Sequence, residues 1–153
     1  MDALSLLKQD HDKVKEVITR IEETTARTTK KREELFQGLV DDLTVHERIE
    51  EEIFYPTVGK HEKAKDIVLE SYVEHDVVDD LTDEISTLEA ADEKWLPTFK
   101  VFKENLEHHI KEEEDELFPK VREIFSKEEL QDMGGQMAAL KEQAQQELME
   151  EAR

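Results

Sequence analysis

At 153 residues the chain is long enough for one domain with a sizeable core. Charged residues make up 41% and hydrophobic residues 37%, with a net charge of -20. That excess excludes nucleic acid and anionic membrane as expected partners and suits a protein that handles cations. No cysteine is present, which excludes disulfides and thiolate metal sites and fits the reducing cytoplasm.

The opening segment, MDALSLLKQDHDKVK, has no basic region followed by a long apolar run, so neither a signal peptide nor a membrane anchor is expected. Four glycines, three prolines and the lack of strand-type alternation predict long helices. Leu4, Leu7, His11, Val14, Ile18 and Ile21 form the first apolar stripe, and TTARTTKK interrupts it at 24–31. Leu39, Leu43, His46, Glu50 and Ile53 form the second, with Pro56 expected at its end. After the connector TVGKHEK, a third stripe runs through Val68, Tyr72, His75, Asp79, Thr82 and Ile85. EAADEKWLP breaks the chain again, and Pro97 is tolerable in a first helical turn. Phe99, Phe102, Leu106, His109, Glu113 and Leu117 make the fourth. Short connections between four helices predict an all-α, up-down-up-down antiparallel four-helix bundle over 1–125. In the remainder, 126–153, Ser126 and Glu129 resemble a capping box. An additional short C-terminal helix is expected there, weakened at Gly134 and Gly135. Its apolar face (Leu130, Met133, Met137, Leu140 and Leu148) would pack on the bundle or mediate a homodimer.

The placement of polar residues on these stripes carries the functional signal. His11, His46, His75 and His109 fall among leucines, valines and phenylalanines, one per helix, and Glu50 and Glu113 join them. Such groups are costly in a core unless paired or bound to metal. His46 and Glu50 are four apart, as are His109 and Glu113, so each pair shares one helix face. HERIEEEIFYP aligns with HHIKEEEDELFP without a gap, and each proline lies six residues after its glutamate. The interval from His11 to His46 is 35 residues and from His75 to His109 it is 34. The chain therefore reads as two helical hairpins, each carrying a histidine and then His-x-x-x-Glu. Imidazole and carboxylate without thiolate favour borderline or hard first-row ions. Two equivalent hairpins suggest two ions, with a carboxylate from each hairpin able to bridge them. Glu47 and Asp79 are supplementary ligand candidates, Tyr72 could donate a hydrogen bond near the metals, and His108 belongs beside the stripe. Glu51, Glu52, Glu112, Glu114 and Asp115 read as solvated charge, and His61 has no assigned role.

The pattern over roughly residues 5 to 122 resembles the hemerythrin-like, HHE cation-binding family. The resemblance rests on His11, HERIEEEIFYP, EHDVVDDL around His75, and HHIKEEEDELFP. It implies a metal set of His11, His46, Glu50, His75, His109 and Glu113. It also implies two iron ions per chain, bridged by carboxylates and an oxo or hydroxo group, although these ligand types accept zinc or manganese too. The expected function is binding of oxygen, peroxide or a similar small ligand, in oxygen or redox sensing, storage or iron homeostasis. A peroxide-decomposing or ferrous-oxidising enzyme, and a regulatory interaction module with a structural or sensory metal, are the alternatives. Oxygen-carrying members supply five histidines, two of them one turn apart on the third helix. Here Asp79 lies four after His75 and Ser71 four before. That departure weighs toward redox turnover or iron handling rather than reversible oxygen carriage.

Overall fold

The computed structural model describes residues 1–152. Five helices follow in chain order. α1 spans Ala3–Glu22 and is capped by Asp2, whose carboxylate accepts the Ser5 backbone N–H at 2.8 Å. α2 begins with Thr29–Ile49, passes through one π turn at Glu50–Phe54 and ends with Tyr55–Val58. α3 spans Glu62–Ser86. α4 repeats the plan of α2, with Trp95–Glu112, a π turn at Glu113–Leu117, and then Phe118–Ile124. α5 spans Lys127–Glu151 and opens with the expected capping box, Ser126 and Glu129 each receiving the other's backbone N–H.

Helices α1 to α4 form the antiparallel bundle, and α5 packs across α1 and α2. Two apolar cores fill the molecule. One gathers Val14, Ile18, Phe36, Leu39, Val78, Trp95, Phe99 and Phe102. The other gathers Leu4, Leu7, Ile49, Phe54, Val58, Leu117, Phe118, Met133 and Met137. Beyond the first core, Arg32 ties two loops together. Its guanidinium donates to Thr24 Oγ1 at 2.9 Å and to the Ala90 carbonyl at 2.6 Å, and it lies 4.7 Å from the Trp95 ring centroid. Among the described residues, no helix is long and apolar enough to cross a membrane.

Three expectations need correction. Pro56 does not end α2, and the backbone stays helical to Val58. The π turn makes room, because Tyr55 N–H bonds five residues back to the Glu50 carbonyl. This widens the helix just where a proline ring would meet the preceding turn. The extra residue moves the buried positions to Phe54, Tyr55 and Val58, leaving Ile53 half-buried. On α3 the buried face runs through Ala64, Val68, Ser71, His75, Val78 and Ile85. Tyr72 and Thr82 are only half-buried and Asp79 is exposed. Finally, α5 is 25 residues long and unbroken at its glycines.

Gly134 is where α5 crosses the chain start. A Cβ there would run into the Met1 carbonyl oxygen and come within 2.8 Å of the Ala3 nitrogen, both backbone atoms. Gly134→Ala is expected to lift α5 off α1 and to cost about 1–3 kcal/mol of stability, read by denaturant unfolding. Gly135, with open space around its Cβ position, should accept alanine freely.

Candidate metal centre

Between the two apolar cores lies a polar layer. Antiparallel packing brings the middle of α1 and α3 level with the last regular turns of α2 and α4. This places His11, His46, His75 and His109 at one height, with Glu50 and Glu113 at the first residues of the two π turns. All six side chains are buried. The imidazoles pair edge to face, His11 with His46 at 5.0 Å and His75 with His109 at 4.9 Å between ring centroids.

Each imidazole turns Nε2 toward a central carboxylate. His46 and His75 both lie 3.1 Å from Glu50 Oε1. His109 lies 3.1 Å from Glu113 Oε2 and His11 3.3 Å from Glu113 Oε1. Two four-residue groups result, His11–His46–Glu50–Glu113 and His75–His109–Glu50–Glu113, with ligand atoms within 4.8 Å of one another in each. Both glutamates are shared, which is the geometry of two metal positions bridged by two carboxylates.

The outward nitrogen of every ring is clamped by a further carboxylate. His11 Nδ1 meets Glu114 at 2.7 Å, His46 meets Asp10 at 2.9 Å, His75 meets Glu51 at 3.0 Å and His109 meets Glu74 at 2.8 Å. The pattern obeys the pseudo-twofold repeat. The residue before the first histidine of a hairpin clamps the second histidine of that hairpin. The residue after each central glutamate clamps the first histidine of the other hairpin. A carboxylate on Nδ1–H turns Nε2 inward, and in the neutral ring it fixes the tautomer whose Nε2 lone pair faces the centre and raises its donor strength.

The electrostatics call for positive charge in the centre. Burial lowers the histidine pKa values, but the carboxylates overcome it. Glu50 and Asp10 push His46 up to about 10, Glu50 pushes His75 to about 9, and Glu113 with Glu74 pushes His109 to about 11. Burial alone would raise Glu113, yet the facing His109 and His11 hold it well below the usual carboxylate range. Even so, His11 Nε2, His46 Nε2, Glu50 Oε2 and Glu113 Oε1 are buried without a hydrogen-bond partner. Buried polar atoms are rarely left so, and all four orphans belong to the residues of the first group. A cation bound among them would satisfy every one, so the donor set fits a metal.

The second group differs in one respect. Tyr55, five residues after Glu50, donates its hydroxyl to Glu113 Oε2 and lies 3.3 Å from His75 Nε2 and 3.4 Å from His109 Nε2. Burial and the two central glutamates hold its pKa well above the ordinary value, so the phenol keeps its proton. The matching residue of the other hairpin is Phe118, stacked on His11 at 6.1 Å. The repeat is therefore broken by one hydroxyl.

Of the supplementary candidates, Tyr72 packs edge to face on Tyr55 at 5.2 Å rather than joining the layer. Glu47 forms an outlying group with Glu51 and His75, and burial with the carboxylates of Asp79 and Glu51 pushes it up to about 8. Asp79 stands outside that group. His108 is exposed, 3.7 Å from Glu74 and 3.4 Å from Glu112. Sequence reasoning missed Tyr55, Asp10 and Glu74, and took Glu51 and Glu114 for solvated charge. Their signal was adjacency, since each of the four carboxylates neighbours a core histidine or glutamate in sequence.

A cavity of about 10 Å³ adjoins the layer, lined by the four histidines, Glu47 and the apolar side chains of Val14, Leu43, Val78, Leu106 and Ile110. That volume suits one water-sized guest.

Comparison with known proteins agrees with this geometry. Over 148 residues the chain is 30% identical to the uncharacterized protein Rv2633c of Mycobacterium tuberculosis, covering 94% of this chain and 87% of that one. It is 26% identical over 148 residues to a DNA nickase of Nostoc sp., covering 97% of this chain but only 41% of the nickase. The chain thus spans well under half the length of that relative. A crystal structure from Mycobacterium kansasii, of a hemerythrin HHE cation binding domain-containing protein homologous to Rv2633c, aligns with a TM-score of 0.87 at 27% identity, covering 97% of this chain and 90% of that one. The model of the hemerythrin HHE cation binding domain matches residues 2–121, a span that holds all six residues of the two groups. The chain belongs to that family.

Proposed function

We propose that this protein is a non-haem di-iron protein whose centre takes oxygen, peroxide or a ligand of similar size, in redox sensing or turnover. The observation that carries this reading is the pair of buried His₂Glu₂ groups sharing Glu50 and Glu113, with inward-facing atoms left unpartnered. His11 and His46 would hold one ion, His75 and His109 the other, and the two glutamates would bridge them. Iron in those positions would supply one-electron redox chemistry toward oxygen or peroxide. The protein's own contribution is the rest. Four rim carboxylates hold the imidazoles in place, and the Val, Leu and Ile lining of the adjoining cavity limits water. Tyr55 places a protonated hydroxyl at one end of the centre. With one imidazole fewer than the five of oxygen carriers and both central carboxylates in place, anionic oxygen makes up more of the donor set, which favours oxidised metal and hence redox turnover over reversible oxygen carriage.

Metal analysis of protein purified without oxygen, with visible spectra before and after air is admitted, tests the reading. About two irons per chain and new visible absorption on oxidation are expected. Protein that takes up one ion or none, or that takes zinc and remains colourless in air when offered iron, would overturn it.

A further inference from the structure

Helix α5 lies outside the residues matched by the family model, yet it reaches the metal layer. Lys141 Nζ donates to Asp10 Oδ1 at 2.6 Å, and the other oxygen of Asp10 accepts from His46 Nδ1 at 2.9 Å. The inward Nε2 of His46 is one of the unpartnered atoms. Asp10 is a largely buried carboxylate, with a side chain only 10% exposed, so little solvent competes for its charge. An unbroken line therefore runs from α5 through Asp10 and His46 to the His11–His46 position.

The same connection is missing on the other side. Glu114, the clamp of His11, has Lys8 at 3.7 Å. Among the described residues, neither Glu51 nor Glu74, the clamps of His75 and His109, forms an ion pair with a lysine or arginine. Glu74 instead has the imidazole of His108 near its second oxygen. A carboxylate hydrogen-bonded to an imidazole N–H strengthens that imidazole as a donor, and a cation on the carboxylate withdraws the effect. Both clamps of the first position are partly neutralised by lysines. Both clamps of the second are not.

We propose that α5 makes the two metal positions unequal, with Lys141 acting through Asp10 to weaken His46 as a donor, so that the His11–His46 position binds its ion less tightly than the His75–His109 position. Lys141 is a positioning residue, and the inference rests on the two-metal reading above.

Calorimetric titration of the metal-free protein with zinc, a redox-silent probe, separates the two ideas. The wild type should show two unequal sites. Lys141→Met, which keeps most of the apolar stem, should tighten the weaker site by roughly tenfold and leave the stronger one unchanged. Lys141→Arg should restore the wild-type values. Asp10→Asn should move the weaker site in the opposite direction, by about 10–100-fold. Glu147→Gln breaks the separate contact of α5 with Arg48, seen at 2.5 Å, without touching Asp10, and should shift neither site. In the zinc-loaded protein, the His46 Nδ1 proton resonance should move downfield in Lys141→Met alone among the three α5 variants. If Lys141→Met weakens binding as Asp10→Asn does, Lys141 is only scaffolding and the proposal fails. It fails equally if two sites bind and Lys141→Met leaves both unchanged. Fewer than two zinc sites in the wild type would instead remove the two-metal reading itself.

Discussion

Replacing Glu50 or Glu113 with alanine should strip the chain of both ions rather than one. Each carboxylate belongs to both four-residue groups, whereas each histidine belongs to one. Loss of Glu50 removes the oxygen that faces His46 and His75 together, each at 3.1 Å. It also leaves imidazoles on both hairpins without their central counter-charge, and breaking one partner of a buried charged set costs several kcal/mol. Metal content by elemental analysis should fall from about two per chain to well under one in either glutamate variant. His11→Ala should leave close to one, because the His75–His109 side keeps both of its histidines and both glutamates. Glu112→Ala, which alters a residue next to Glu113 but outside the layer, should leave metal content unchanged. Equal losses in His11→Ala and Glu50→Ala would show that the two positions are not bridged as described.

The distinction between Glu112 and Glu113 was legible in the sequence, and the reason generalises. The stripe of Phe99, Phe102, Leu106 and His109 carries helical phase through the acidic run, and phase alone separates Glu113 from its neighbours. The first stripe, from Leu4 to Ile21, is buried at every position. Phase was lost where the helix changed its pitch. Tyr55 follows Glu50 by five residues, about 140° round a regular helix and so off the core face. The π turn bonds five residues back, which returns Tyr55 to the layer. Neither the alignment of the two hairpins nor their prolines specifies that turn, although Pro56 and Pro119 stand just past it in both.

The rim carboxylates were obscured for a different reason. Asp10, Glu51, Glu74 and Glu114 are four among 41 acidic residues, most of which are solvated, and nothing in a single helix says which of them faces an imidazole on another. On α3, the buried face lies a step round from the predicted one because Ser71 is accommodated in the core, its hydroxyl donating to the Ile67 carbonyl at 2.9 Å. A small polar residue that satisfies itself on its own helix reads as surface in sequence and packs as core.

The metal-free protein should lose stability steadily as pH rises from about 6.5 to about 11, and metal should abolish that loss. His46, His75 and His109 have folded-state pKa values near 10, 9 and 11, against 6.5 as their reference, and His11 is raised as well. In each, burial opposes the proton, and the facing carboxylates more than offset it. Across this window the folded chain holds protons that the unfolded chain has released, so stability falls with rising pH. The contribution is complete below the unfolded value and disappears as pH passes the folded ones. Glu47, pushed up to about 8 first by burial and then by Asp79 and Glu51, acts in the same direction between its reference of 4.5 and that value. With ions bound to Nε2, the same imidazoles carry no exchangeable proton on that nitrogen, so melting temperature should stay nearly flat over pH 6.5 to 10. Metal uptake must then expel protons, which calorimetry in buffers of different ionisation enthalpy counts directly, and affinity should fall as pH is lowered. A melting temperature of the metal-free protein that climbs from pH 7 to 10 would mean that the imidazoles enter the fold uncharged, and that the carboxylates around them do not set the field of the site.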